Sequence, residues 1–125
     1  MKIQIIDYNL KNNKVKFYSE YGIASGIWKG EQIKEKEYYV EINIPFKVSC
    51  LNIRIVNEGV PRIFTEDNIT KIFGCLKDIE IDYASLIVGK SLIMLELEKG
   101  DFEVFENKYV QLDVPYIELY DEGIN

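Results

Sequence analysis

Residues 65–82 read Thr65-Glu66-Asp67-Asn68-Ile69-Thr70-Lys71-Ile72-Phe73-Gly74-Cys75-Leu76-Lys77-Asp78-Ile79-Glu80-Ile81-Asp82, and the way they fold decides the class of the chain. Two periods compete in them. Ile69, Ile72, Phe73 and Leu76 fall at i, i+3, i+4 and i+7, the spacing of a helical stripe; Thr65 would cap such a helix, and Glu66 and Asp67 would suit the positive end of its dipole. Against the helix stand Gly74 in mid-segment, β-branched residues at 69, 70, 72 and 79, and the alternation of Ile79-Glu80-Ile81-Asp82. A mid-helix glycine costs about 1 kcal/mol relative to alanine, and branched side chains lose rotamer freedom there, so strand is the preferred reading. The helical alternative inserts one short helix near residues 65–77 into an otherwise β chain.

Outward from this segment, period two recurs in both directions, broken by Gly, Asn and Asp. Glu37–Ile44 is the clearest case: Tyr38, Val40, Ile42 and Ile44 share one face, Glu37, Tyr39, Glu41 and Asn43 the other, and Pro45 ends the run. Strands are expected at residues 3–8, at 51–56 around Leu51, Ile53 and Ile55, at 85–88 and at 91–98. Residues 15–29 read as one long extended segment, with Gly22 and Gly26 marking a bulge or sharp bend. Phe102–Phe105 and Tyr109–Val114 read as a hairpin about Glu106-Asn107-Lys108, and residues 116–120 close the fold. Eight or so short strands in 125 residues, with no linker or repeat, point to an all-β single domain spanning 1–125. A small barrel or sandwich is expected, OB-like in outline.

Composition removes several chemistries. The chain has no histidine, so Ser-His-Asp and Cys-His catalysis are excluded. Cys50 and Cys75 lie 25 positions apart without a CxxC, too few for a zinc site; they read as small buried hydrophobes, with a mutual disulfide as the alternative. Gly89-Lys90-Ser91 ends like a phosphate loop, but Ala84 stands where the first glycine belongs and Ser85-Leu86-Ile87-Val88 favours a strand, so Gly89-Lys90 reads as a tight turn. No pair of carboxylates is singled out for acid–base work. No cofactor, metal site or catalytic residue is expected, and the chain is read as a non-enzyme. Gln4 and Asp7 interrupt the apolar N-terminal residues and no run approaches the ~20 apolar residues of a membrane span, so a cytoplasmic protein without membrane contact is expected.

Charge is the most informative feature. Residues 1–62 hold ten Lys/Arg and seven Asp/Glu, net +3; residues 63–125 hold five and fourteen, net −9, which gives the overall −6. Such a lopsided field bears on partners and not on fold. In the acidic half, Asp101, Glu103, Glu106, Glu118 and Asp121 lie among Phe105, Tyr109, Tyr116 and Tyr120. Carboxylates mixed with aromatic anchors suit a basic protein partner, as in an inhibitor or immunity-type protein that blocks a basic nuclease toxin. The alternative is a single-strand nucleic-acid module using Lys14, Lys16, Phe17, Tyr18, Tyr21, Trp28, Lys29, Lys34, Lys36 and Tyr39, which the net negative charge disfavours. An unprotected edge strand leaves homo-oligomers open.

Overall fold

The computed structural model describes residues 1–123, which form twelve strands, most of them with alternating burial. They are β1 (Lys2–Asn9), β2 (Lys14–Ser19), β3 (Gly22–Trp28), β4 (Glu37–Asn43), β5 (Lys47–Val48), β6 (Ile53–Ile55), β7 (Arg62–Glu66), β8 (Ile69–Lys77), β9 (Tyr83–Val88), β10 (Ser91–Leu97), β11 (Tyr109–Val114) and β12 (Glu118–Asp121). The chain is all-β, as its alternation implies. On β4 the burial is strictly alternate, with Tyr38, Val40 and Ile42 inside.

β1, β2, β3, β12 and β4 close into a barrel in that order, antiparallel throughout except for the parallel pair β3 and β12. A five-stranded barrel fits the OB-like outline. Between β4 and β12 the chain leaves the barrel and builds a second, seven-stranded sheet of order β5-β10-β9-β8-β11-β6. In that sheet β11 lines one edge of β8, while β7 and β9 share the other. One connected apolar cluster spans both sheets, from Ile3, Val15, Phe17 and Leu119 in the barrel to Ile63, Ile72, Leu76, Leu86 and Leu112 beyond it.

The decisive segment is thus the end of one strand, a turn and a nine-residue strand. Asp67 and Asn68 adopt φ of 52° and 62°, the backbone of a two-residue hairpin loop, and their short polar side chains tolerate it. Of the two acids that suited a helix start, Glu66 ends β7 and Asp67 forms the turn. Ile69 and Phe73, on the supposed helical stripe, point away from Ile72 and Leu76, which are fully buried. Gly74 has a steric reason of its own: a Cβ there would lie 2.5 Å from the carbonyl oxygen of Ile87, so only glycine lets β9 pass β8 at that point.

Other details depart from the expected outline. Residues 15–29 are a hairpin, β2 and β3, turning at Glu20-Tyr21; the bulge lies on β1, between Ile5 and Asp7. Leu51 belongs to a 3₁₀ turn (Cys50–Asn52), which starts because Ser49 Oγ accepts from Leu51 N and Asn52 Oδ1 from Ser49 N. Phe102–Phe105 is a second 3₁₀ turn and not a hairpin arm: i, i+3 spacing turns both phenylalanines inward, ring centroids 6.4 Å apart, and leaves Val104 out. Cys50 and Cys75 are both free thiols, and each is half-buried, not buried.

The two sheets meet through β3 and β7. Ile63 N donates to Tyr21 O at 3.0 Å, Ser25 N to Thr65 Oγ1 at 2.9 Å, and the Thr65 and Thr70 hydroxyls stand 3.1 Å apart. The Gly89-Lys90 turn joins them, with Lys90 N donating to the Tyr21 hydroxyl at 3.1 Å.

Candidate protein-binding surface

At one end of the second sheet its loops converge, and here the acidic residues collect. Residues 78–82 link β8 to β9, and residues 98–108 link β10 to β11 through the second 3₁₀ turn. Backbone hydrogen bonds pin them to the sheet and to one another: Leu97 N to Asp82 O at 2.7 Å, Glu98 N to Val48 O at 2.8 Å, Asn107 N to Leu76 O at 2.8 Å, and Leu76 N to Lys108 O at 3.1 Å. The bond from Glu98 also brings in the first 3₁₀ turn, whose Cys50 Sγ sits against Gly100. These bonds tie both ends of each loop to the sheet and limit how far the loops can move.

Residues 77–108 place on this end Asp78, Glu80, Asp82, Glu98, Asp101, Glu103 and Glu106 against Lys77, Lys99 and Lys108, seven carboxylates to three lysines, net −4. None of the seven has an ion-pair partner among the described residues. They do not converge on a point either: among the described residues no three acidic or cysteine side chains are grouped to share a metal ion. The same loops and the first 3₁₀ turn carry apolar side chains that the core does not use. Leu51 is 96% exposed, Ile81 91% and Val104 54%. A groove of about 630 Å³ runs past Ile79, Glu80 and Ile81 on one side and Lys99 to Glu103 on the other.

Of the nine residues singled out in the sequence, five lie on or beside this end. Asp101, Glu103 and Glu106 are exposed on it; Phe105 is half-buried against Phe102 and anchors the turn; Tyr109 opens β11, paired across the ladder with Cys75. Four lie elsewhere. Tyr116, Glu118, Tyr120 and Asp121 follow the far end of β11, about 20 Å away by strand rise, and belong to the barrel. Tyr116 meets Phe46 edge-on at 4.9 Å, and Glu118 is committed to Lys29 at 3.6 Å and to Asn43 Nδ2 at 2.8 Å. Asp121 Oδ1 accepts from Gly123 N at 2.8 Å. The charge asymmetry is therefore half dissolved: Lys29 and Lys47 of the first half neutralise Glu118 and Glu96 of the second, while the loop carboxylates stay unpaired.

Missing from the sequence-derived set are Asp78, Glu80, Asp82 and Glu98, with the apolar tips Leu51, Ile81 and Val104. Ile79-Glu80-Ile81-Asp82 looked like a strand, and its alternation hid that Ile81 faces solvent. Among the rings of the basic half, Phe17, Tyr21 and Trp28 are core. Trp28 packs edge-on against Tyr38 at 4.8 Å and donates to Glu31 O at 2.6 Å, which leaves it no face for a base. Tyr18 and Tyr39 remain outside, 50% and 40% exposed.

Burial, and then the neighbouring Cys75 and Tyr21, push the Tyr109 phenol above its ordinary value of 10.0. A folded-state value above the unfolded one means that the folded chain holds this proton longer, so its contribution is complete below pH about 10 and lost as pH rises through the folded value. Tyr109→Phe is expected to flatten the loss of stability above pH about 10 in urea titrations; an unchanged slope would mean that Tyr109 has no part in that loss.

No protein-family model, no curated protein and no solved structure matches this chain.

Proposed function

We propose that this protein is a non-enzymatic protein-binding module of the inhibitor or immunity type, which sequesters a basic partner through the acidic loop end of its second sheet. The observation that carries the reading is the combination at that end of seven unpaired carboxylates with protruding Leu51, Ile81 and Val104 on hydrogen-bonded loops. Carboxylates without internal partners project a field that accelerates encounter with a cationic surface. Exposed apolar side chains rimmed by charge supply the desolvated contacts that hold a complex once formed. Pinned loops lose little conformational freedom on binding.

The test is capture from the native host on immobilised wild-type chain and on a variant carrying Asp101→Lys, Glu103→Lys and Glu106→Lys. A basic protein retained by the first and released by the second supports the reading. Retention by both surfaces contradicts it.

A further inference from the structure

The chain contains thirteen lysines and two arginines, and both arginines line one groove. The ladder brings them there. Arg54 on β6 is registered with Gln111 on β11, Gln111 with Phe73 on β8, and Phe73 with Arg62 on β7, so one row crosses the outer face of the sheet with an arginine at each end. Three strand spacings put the two backbones about 14 Å apart, within reach of one ligand for two long side chains. Ile55 at the end of β6 and Val56 and Val60 of the β6–β7 connection wall the space, and the groove measures about 380 Å³, in the size range of small-ligand sites.

Each guanidinium is held by a separate device. Arg54 Nε and Nη2 donate to Gln111 Oε1 at 3.2 and 2.7 Å, and Gln111 Nε2 donates to Asp113 Oδ1 at 2.7 Å. Arg62 lies 4.6 Å from the centroid of the Phe64 ring and 5.1 Å from that of Phe73, and these rings stack on each other at 5.9 Å. Neither arginine has a carboxylate within ion-pair distance among the described residues. Two oriented guanidiniums without an ion-pair partner, beside an aromatic ring, are suited to an oxyanion borne on a flat body. Asn57 and Glu58 line the same groove. A carboxylate at that place repels a polyanionic strand but accepts hydrogen bonds from hydroxyl groups.

We propose that this groove binds a small phosphate monoester of nucleoside monophosphate type, its phosphate between Arg54 and Arg62, its base against the Arg62–Phe73 surface and its hydroxyls toward Asn57 and Glu58. The site is distinct from the acidic loop end and is tested independently of it. Adenosine monophosphate, titrated to about 5 mM against ¹⁵N-labelled protein, is expected to shift the Arg Nε signals and the amides of residues 54–62 and 73 saturably. Arg62→Lys and Arg54→Lys keep the charge and lose the planar fork, and each is expected to weaken binding at least about tenfold; adenosine without phosphate is expected to weaken by as much. The absence of saturable shifts, wild-type affinity in both lysine variants, or binding of adenosine as tight as that of adenosine monophosphate would overturn the proposal.

Discussion

Gly22→Ala is expected to lower the free energy of unfolding by about 4 kcal/mol, one of the largest effects of any single methyl group in this chain. Two costs coincide at the position. Gly22 has φ of 138°, a conformation closed to L side chains at a cost of about 1–3 kcal/mol. An added Cβ would also stand 2.6 Å from the carbonyl oxygen of Ile63, whose amide anchors β7 to Tyr21. That carbonyl is backbone, on a strand that its pairing with β8 holds in place, and it faces β3, so the joint between barrel and second sheet must open; overpacking of this kind costs a further ~1–3 kcal/mol. Gly59→Ala is the control. Its Cβ would meet only Tyr109, at 4.0 Å, and the change should stay within about 0.5 kcal/mol. Urea denaturation of both variants measures the difference; equal midpoints would mean that the sheets are not joined at Gly22.

Charge reversal at the loop end should act on association and spare folding. Asp101→Lys, Glu103→Lys and Glu106→Lys take residues 77–108 from the −4 of their loop groups to +2. The three side chains are exposed and unpaired, so the fold should lose at most about 0.5 kcal/mol per site. The association rate with the captured basic partner is expected to fall at least about 100-fold at low ionic strength, and the gap between variant and wild type should narrow with added salt. Glu118→Gln with Asp121→Asn, on the barrel, should change that rate less than about threefold. Stopped-flow or surface-binding kinetics separate the two sets.

What the sequence disclosed and what it hid follow from the range of the interactions. Alternation on β4 is local, so Tyr38, Val40 and Ile42 were legible as core. The strand at Ile69–Lys77 was legible through Gly74 and its branched neighbours, although the reason for Gly74, the close passage of Ile87 O, is a contact between strands. Hidden was everything set by pairing between distant residues. Insertion of a whole sheet between β4 and β12 leaves no local mark, because both barrel and sheet are built from the same alternating strands. Phe102 and Phe105 differ from strand residues by an i, i+3 relation that four residues cannot distinguish from alternation. The acidic surface was half visible: Asp101, Glu103 and Glu106 are near neighbours in sequence, but Asp78, Glu80 and Asp82 join them through contacts between strands and loops, among them the hydrogen bond of Leu97 N to Asp82 O and the pairing of β8 with β11. Glu118 looked equivalent to them and is not, because Lys29 comes from the opposite half of the chain.

Amide hydrogen exchange, compared between the free protein and its complex with the captured partner, tests the central claim most directly. Exposed loop amides exchange through small local openings, and a partner seated over them slows that exchange. Binding at the acidic loop end predicts new protection in residues 49–52, 78–82 and 98–108, with β1, β2 and β4 unchanged. Protection on the outer faces of β1, β2 and β4, around Tyr18 and Tyr39, with residues 78–82 and 98–108 unaffected, would contradict it.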